Sequence, residues 1–302
     1  MACIPRNAFL QWNCRSLNKR KFTLKHIVNI SQPVAIALQE TFLVNDKALN
    51  ELKEMFPEFN FYFHNRTRVG AANPRGGVAI MVHKDVPQKI LPLKSRLEAV
   101  AVDIIYRKRQ ISVCSLYLPP HSNFTVNSLV SLSNELFKHH IIMGDFNAHN
   151  TLWGSQKISY EGRKVANFVE NTNNVILNNG DPTHLSGRNA VLSAIDLSLA
   201  SAELSTDIDW YVYTDVLGSD HLPIILTIGA PNLEPNNYSP LCKYKTNDVD
   251  WSLYTNTVSL NTDGDNIDSK LNNIKKSILN AAEQTLPKVH KGSKKDSSSM
   301  VD

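Results

Sequence analysis

The chain has 302 residues, 42% of them hydrophobic and 20% charged, with a formal net charge of +4. This balance belongs to a folded globular protein and excludes a disordered or fibrous chain. No apolar run approaches the roughly 18 residues of a membrane span, and the N-terminal MACIPRNAFLQWNCRSL lacks the apolar core and small-residue cleavage site of a secretory signal. Cys3, Cys14, Cys114 and Cys242 are far apart and form no C-x-x-C pair, which argues for free thiols in a reducing compartment and against a zinc site or a disulfide framework. Acidic and basic residues balance beyond position 229, so residues 1–229 carry the whole positive excess, a mild surplus compatible with a polyanionic partner.

Ala8–Trp12 reads as the first strand. In 18–31 the apolar residues Phe22, Leu24, Ile27, Val28 and Ile30 predict an amphipathic helix. Val34–Leu38 is a β-rich run and Asp46–Met55 a second helix. Phe59–His64, Gly77–His83, Leu97–Ile105 and Gln110–Leu118 follow one another as strands with short turns, which predicts antiparallel pairing among them. A helix is expected over Val126–Phe137, a strand over His140–Met143 and a helix over Tyr160–Asn171. The strands Val175–Leu177, Ala194–Ala200, Trp210–Thr214 and Leu222–Ile228 complete the series. About ten strands and four helices in mixed order predict an α/β (α+β) four-layer sandwich, two β-sheets packed face to face with helices outside. Residues 1–229 are read as one domain. Pro231, Pro235 and Pro240 mark a linker, one helix follows at about Ile267–Thr285, and the Lys/Ser-rich end from Lys288 to Asp302 is expected to be disordered.

Polar residues at strand ends carry the chemistry. Gly144-Asp145-Phe146-Asn147 follows the apolar run Ile141–Met143, so a strand delivers a carboxylate and an amide, two residues apart, to a sheet edge. Ser219-Asp220-His221 precedes the last strand, and a histidine there can donate to a non-bridging phosphate oxygen. Glu40 follows Val34–Leu38. Asp196 sits in an apolar strand, where its burial is costly unless it is paired, with His221 as a natural partner. Asn13 ends the first strand, and Tyr117 lies in Leu116–Pro120. Singly, Asn13 could cap a turn, Tyr117 could be core and Asp220 could be solvated. Together they are the inventory for hydrolysing a phosphodiester with a hard cation: acids, amides, one histidine and one tyrosine, with no Cys/His cluster for zinc.

In this order the segments Gln11–Asn13, Leu38–Thr41, Leu116–Pro119, Gly144–Asn147, Ala194–Asp196 and Gly218–His221 resemble the endonuclease/exonuclease/phosphatase superfamily. GDFNAHNTLWG at 144–154, NGDPTH at 179–184 and SAIDLSLAS at 193–201 are similar to the endonucleases of arthropod non-LTR (LINE-type) retrotransposons of the jockey and R-element kind. KYKTNDVDWSLY at 243–254 resembles the segment joining such endonucleases to a reverse transcriptase. The resemblance implies a Mg²⁺ site (Mn²⁺ as a substitute) on Glu40, Asp220 and Asn13. It implies a water held by Asp145 with Asn147, phosphate contacts from Tyr117 and Thr183, and a transition-state donor, His221, polarised by Asp196. The reaction implied is nicking of double-stranded target DNA for target-primed reverse transcription, in the nucleus and beside a reverse transcriptase. The stretch Leu185–Leu192, with Arg188, matches a hairpin that probes the minor groove in relatives. Arg66, Arg68 and Arg75 are candidate contacts to DNA phosphates. A phosphatase or phospholipase of the same fold, and an inactive nucleic-acid-binding remnant, are the alternative readings.

Overall fold

The computed structural model describes residues 7–43, 46–65, 75–186, 191–213, 217–229, 249–259 and 267–287. The chain divides into two compact units, Met1–Glu234 and Pro235–Asp302. In the first unit the elements run β1 (Ala8–Asn13), α1 (Leu17–Ser31), β2 (Pro33–Gln39), α2 (Asp46–Met55), β3 (Phe59–His64), β4 (Val78–His83), β5 (Gln88–Leu91), β6 (Glu98–Tyr106) and β7 (Arg109–Tyr117). They continue with α3 (Val126–Glu135), β8 (His140–Asp145), a 3-10 turn (Thr151–Trp153), α4 (Tyr160–Glu170), β9 (Asn174–Ile176), β10 (His184–Ser186), β11 (Val191–Ser193), β12 (Asp196–Ser201), α5 (Ala202–Ser205), β13 (Ile208–Val212) and β14 (Ile224–Ile228). The second unit holds α6 (Trp251–Thr257) and α7 (Ile267–Thr285), which contact each other. No helix among the described residues is long and apolar enough to cross a membrane.

Two mixed six-stranded sheets form, in the orders β13-β14-β1-β2-β4-β3 and β5-β6-β7-β8-β12-β9, with β10 and β11 as a separate ribbon. The expected antiparallel run therefore breaks in the middle. β3 pairs with β4, and β6 with β7, but β4 and β6 belong to different sheets. Local turn signals cannot tell a hairpin from a crossing between sheets. The strand β5 escapes the sequence reading because Lys89 and Ile90 are exposed on a sheet edge and break the apolar pattern.

Alternation sorts each strand into two faces. In β1, Ala8, Leu10 and Trp12 pack with Leu24, Ile27 and Val28 of α1. These helix positions recur at i, i+3 and i+4. Phe22 and Ile30 lie off that face and are 72% and 57% exposed. In the second sheet, Leu116, Ile142, Leu197 and Leu199 pack with Leu129 and Leu132 of α3 and Val165 and Phe168 of α4. Each side chain fully buried in this way stabilises the fold by about 1.5–3 kcal/mol. Trp153 is fully buried in the same cluster. The other face of each sheet meets its partner sheet through a polar seam. Gln11 Nε2 donates to Gly144 O (3.0 Å), Gln39 Nε2 to Ser115 Oγ (3.0 Å), Ser198 Oγ to Gln11 Oε1 (2.7 Å) and Trp210 Nε1 to Ser198 Oγ (3.0 Å). Buried polar groups are tolerated when bonded like this, and each such bond has one geometry, so the seam sets the register of one sheet on the other.

Gly144 shows how tightly β8 is held. A Cβ there would stand 2.3 Å from the carbonyl oxygen of Leu116 on the neighbouring strand. Gly144→Ala is expected to cost about 1–3 kcal/mol of stability, read as a lower midpoint of urea unfolding. An unchanged midpoint would mean that β8 can move aside.

Candidate active site

Topology alone brings the strand-end residues together. β1 and β2 are parallel, joined through α1, so Asn13 and Gln39 pair at their shared C-terminal ends and Glu40 follows. β7 and β8 are parallel through α3, so Tyr117 pairs with Asp145 at theirs. β12 runs antiparallel to β8 and starts with Asp196 opposite Asp145. β14 runs antiparallel to β1, which sets the segment entering it, with His221, beside Asn13. Ligands of open α/β sheets gather at such carboxyl ends.

Asn13 is the link between the sheets. Its Nδ2 donates to Glu40 Oε1 (3.1 Å) and to Asp145 Oδ2 (2.8 Å). Tyr117 OH donates to Glu40 Oε1 (3.1 Å). Burial, then the charges of Glu40 and Asp145, push the phenol well above its ordinary range, so Tyr117 remains a neutral donor. Asn147 donates to Asp145 from its backbone N–H (3.0 Å) and its Nδ2 (3.1 Å). Glu40 and Asn147 have φ of 48° and 47°. An asparagine accepts this left-handed conformation readily, but for Glu40 it costs on the order of 1–2 kcal/mol. Backbone bonds hold the strained segment, with Ser16 N–H on Glu40 O (2.8 Å) and Thr41 N–H on Gly77 O (3.1 Å).

On the far side of Asp145, His221 donates from Nδ1 to Asp196 at 2.9 Å, and its Nε2 stands 4.0 Å from Asp145 Oδ2. All three residues are buried. Burial pushes the Asp145 carboxyl up to about 7 against the pull of the His221 charge, and the Asp196 carboxylate adds to the push. Burial by itself would push the His221 imidazole down; the bonded Asp196 carboxylate, with Asp145 and Asp220, overrides it and raises the pKa to about 9. His221 is held from behind as well. Its carbonyl accepts from Trp12 Nε1 (3.0 Å), and its N–H donates to Ser219 Oγ (3.2 Å), which in turn donates to Asn13 O (2.8 Å).

Asp220 lies beside His221 and has further partners. Its Oδ2 bonds the guanidinium of Arg15 and lies 3.7 Å from His184 Nε2. Burial would raise its pKa, but His184, His221 and Arg15 hold it down at about 2. Its Oδ1 is buried without a hydrogen-bond partner. Glu40 Oε2 takes no hydrogen bond from a described residue either, since both donors use Oε1. Hard carboxylate oxygens left open in this way suit a divalent cation of the magnesium type. Two other groups of possible ligands, His184–Asp220–His221 and Asp145–Asp196–His221, each lie within 4.8 Å. Both include His221, whose Nδ1 is already committed to Asp196, so they read as hydrogen-bonded clusters rather than cages.

Thr183 is fully buried. Its Oγ1 donates to Asp196 Oδ2 (2.7 Å) and accepts from the N–H groups of Ile195 and Asp196 (3.2 and 3.1 Å). Thr183 is thus tied to the acid behind His221. Arg75 is exposed next to Gly76, whose carbonyl accepts from Phe42 N–H (3.0 Å), two residues after Glu40. Arg188, Arg66 and Arg68 lie outside the described residues. Sequence reasoning passed over Arg15 and gave no role to Ser219 or His184, although both stand in quoted motifs; the His184 ring lies 4.4 Å from that of His221. The signal for His184 was present in NGDPTH; nothing local marked Arg15, because its partner is 205 positions away.

A family model described as "Endonuclease-reverse transcriptase" matches residues 111–225. The probable RNA-directed DNA polymerase from transposon X-element of Drosophila melanogaster is 26% identical over 231 residues, which cover 74% of this chain and 25% of that protein. The RNA-directed DNA polymerase from mobile element jockey of the same organism is 27% identical over 168 residues, 54% of this chain and 18% of the relative. The chain thus spans about a quarter or less of the length of these relatives. Among solved structures, the endonuclease domain of TRAS1, a telomere-specific non-LTR retrotransposon, superposes with a TM-score of 0.59 at 22% identity, covering 74% of this chain and 98% of that one. An AP endonuclease from Archaeoglobus fulgidus gives a TM-score of 0.59 at 16% identity, covering 74% and 100%. The chain thus has the fold of these endonucleases, and its residues 111–225 are similar to the family described as endonuclease-reverse transcriptase.

Proposed function

We propose that residues 1–229 form a Mg²⁺-dependent endonuclease that nicks double-stranded DNA to start target-primed reverse transcription. One observation carries the reading: a single amide, Asn13 Nδ2, touches both Glu40 and Asp145. A cation-binding acid and a buried base candidate therefore stand side by side at the meeting point of two sheets. Glu40, with Asn13 and the open oxygen of Asp220, would hold the cation, which when bound lends positive charge to the leaving oxygen. Asp145, aligned by Asn13 and Asn147, orients water and takes its proton. His221 faces the phosphate from Nε2 while Asp196 fixes the orientation of the ring and its charge. Tyr117, kept neutral, donates to the phosphate or to Glu40. The DNA strand would lie over Arg75, with the β10–β11 ribbon and Arg188 reading the groove.

Residues 230–302 would then be a linker and helical segment leading toward a reverse transcriptase, as the names of the X-element and jockey relatives support. Action on chromosomal DNA would take place in the nucleus. The test is conversion of supercoiled plasmid to the nicked circle by the purified chain with Mg²⁺, set beside phosphate release from an inositol phosphate. Mg²⁺-dependent nicking, abolished by a chelator, supports the reading; phosphate release without nicking would replace it.

Thr183 acts in this reading as a positioning residue for Asp196. Thr183→Val keeps the shape and removes the hydroxyl. The expected result is a roughly tenfold or greater fall in kcat with KM unchanged, because an ion-assisted hydrogen bond of about 1.5–3 kcal/mol is lost behind the reacting group. A rise in KM alone would instead return Thr183 to the phosphate.

A further inference from the structure

Arg15 belongs to none of the sequence motifs, yet the fold spends strain on it. Arg15 and Ser16, on the turn between β1 and α1, have φ of 40° and 89°, a region that residues with a side chain avoid. The turn is held there by Arg15 N–H on Asn13 Oδ1 (3.2 Å), Ser16 N–H on Glu40 O (2.8 Å) and Leu17 N–H on Thr41 O (2.9 Å). These bonds fix the turn that carries Arg15 to the side chain of Asn13 and the backbone of Glu40 and Thr41, and the Arg15 side chain reaches Asp220, next to His221. Its guanidinium rests on Asp220 but remains 54% exposed, against 27% for the acid. A guanidinium has five N–H donors in a planar fork. One of them serves Asp220, so the others can meet a second anion while Asp220 aims the group.

Lys19, exposed on the first turn of α1, pairs with no described acid, whereas Lys21 and Lys25 further along are neutralised by Glu51 and Glu58. The N-terminus of α1, which begins two residues after Arg15, lacks a side-chain cap.

We propose that Arg15 is a substrate-binding residue that grips a backbone phosphate of the DNA strand, aimed by Asp220. The proposal deepens the nuclease reading and rests on it. The test uses the full chain and a short duplex, with binding measured across a range of salt in the absence of divalent cations, and nicking measured separately with Mg²⁺. Arg15→Gln is expected to weaken binding about tenfold and to lower the slope of log affinity against log salt by about 0.9, one phosphate contact. Arg15→Lys keeps the charge without the fork, so it should restore the slope and leave KM raised. If wild type nicks plasmid and Arg15→Gln binds with unchanged affinity and slope, the assignment of Arg15 falls and the nuclease reading stands; a lower melting temperature at unchanged slope likewise makes Arg15 a merely structural partner of Asp220. If wild type neither binds nor nicks, the nuclease reading falls and takes this proposal with it.

Discussion

Asp145→Asn is expected to slow nicking by about 10²–10⁴-fold, the usual range for losing a positioned base, with little loss of stability. Two terms oppose each other in the fold. The carboxylate accepts from Asn13, from the Asn147 backbone and from the Asn147 amide. An asparagine can accept through one oxygen only, so it loses part of that set, at about 1 kcal/mol or somewhat more per bond. Against this, the acid is buried enough to push its pKa up to about 7, and an uncharged side chain escapes that cost. The two are of similar size, so thermal unfolding should move little while activity collapses. In the wild type the rate should also fall as pH drops through about 7, where Asp145 takes a proton and can no longer accept one from water. A variant with near-normal nicking would remove Asp145 from the chemistry.

His221→Gln is expected to cost about 10²–10³-fold in rate, the scale for losing one donor to developing charge, and it should also change how stability depends on pH. His221 is raised from 6.5 to about 9 in the folded chain. A group raised by folding contributes stability that is complete below its unfolded pKa and disappears as pH rises through its folded pKa. The wild-type chain should therefore lose on the order of 3 kcal/mol between pH 6.5 and 9, unless other groups titrate in the same window. His221→Gln should flatten that decline, since glutamine cannot titrate. At pH 6 the variant should be the less stable, because Asp196 would lose its charged partner while still buried. Parallel pH–stability curves for the two proteins would show that the imidazole is not held protonated by Asp196.

Much of this could be read before any coordinates. The ends of apolar runs located Asn13, Glu40, Tyr117, Asp145, Asp196 and His221, because a polar residue after a buried strand has few reasons to be there. The period of two in β1, β7, β8 and β12 puts Asn13, Tyr117, Asp145 and Asp196 on faces opposite the helix-packed residues. The limits of α2, Asp46–Met55, and of α7, Ile267–Thr285, coincide with their 3.6-residue patterns.

What the amino-acid order determined by itself was the set of elements, their faces and the chemical inventory at their ends, since these depend on neighbours a few positions apart. Only the tertiary structure decided which sheet each strand joins, so that β4 and β6 part company. It also decided that Thr183 backs Asp196 and that Arg15 meets Asp220 across 205 positions. Those outcomes depend on backbone paths that bring distant segments within hydrogen-bond reach, and such distances leave no periodic trace in the chain.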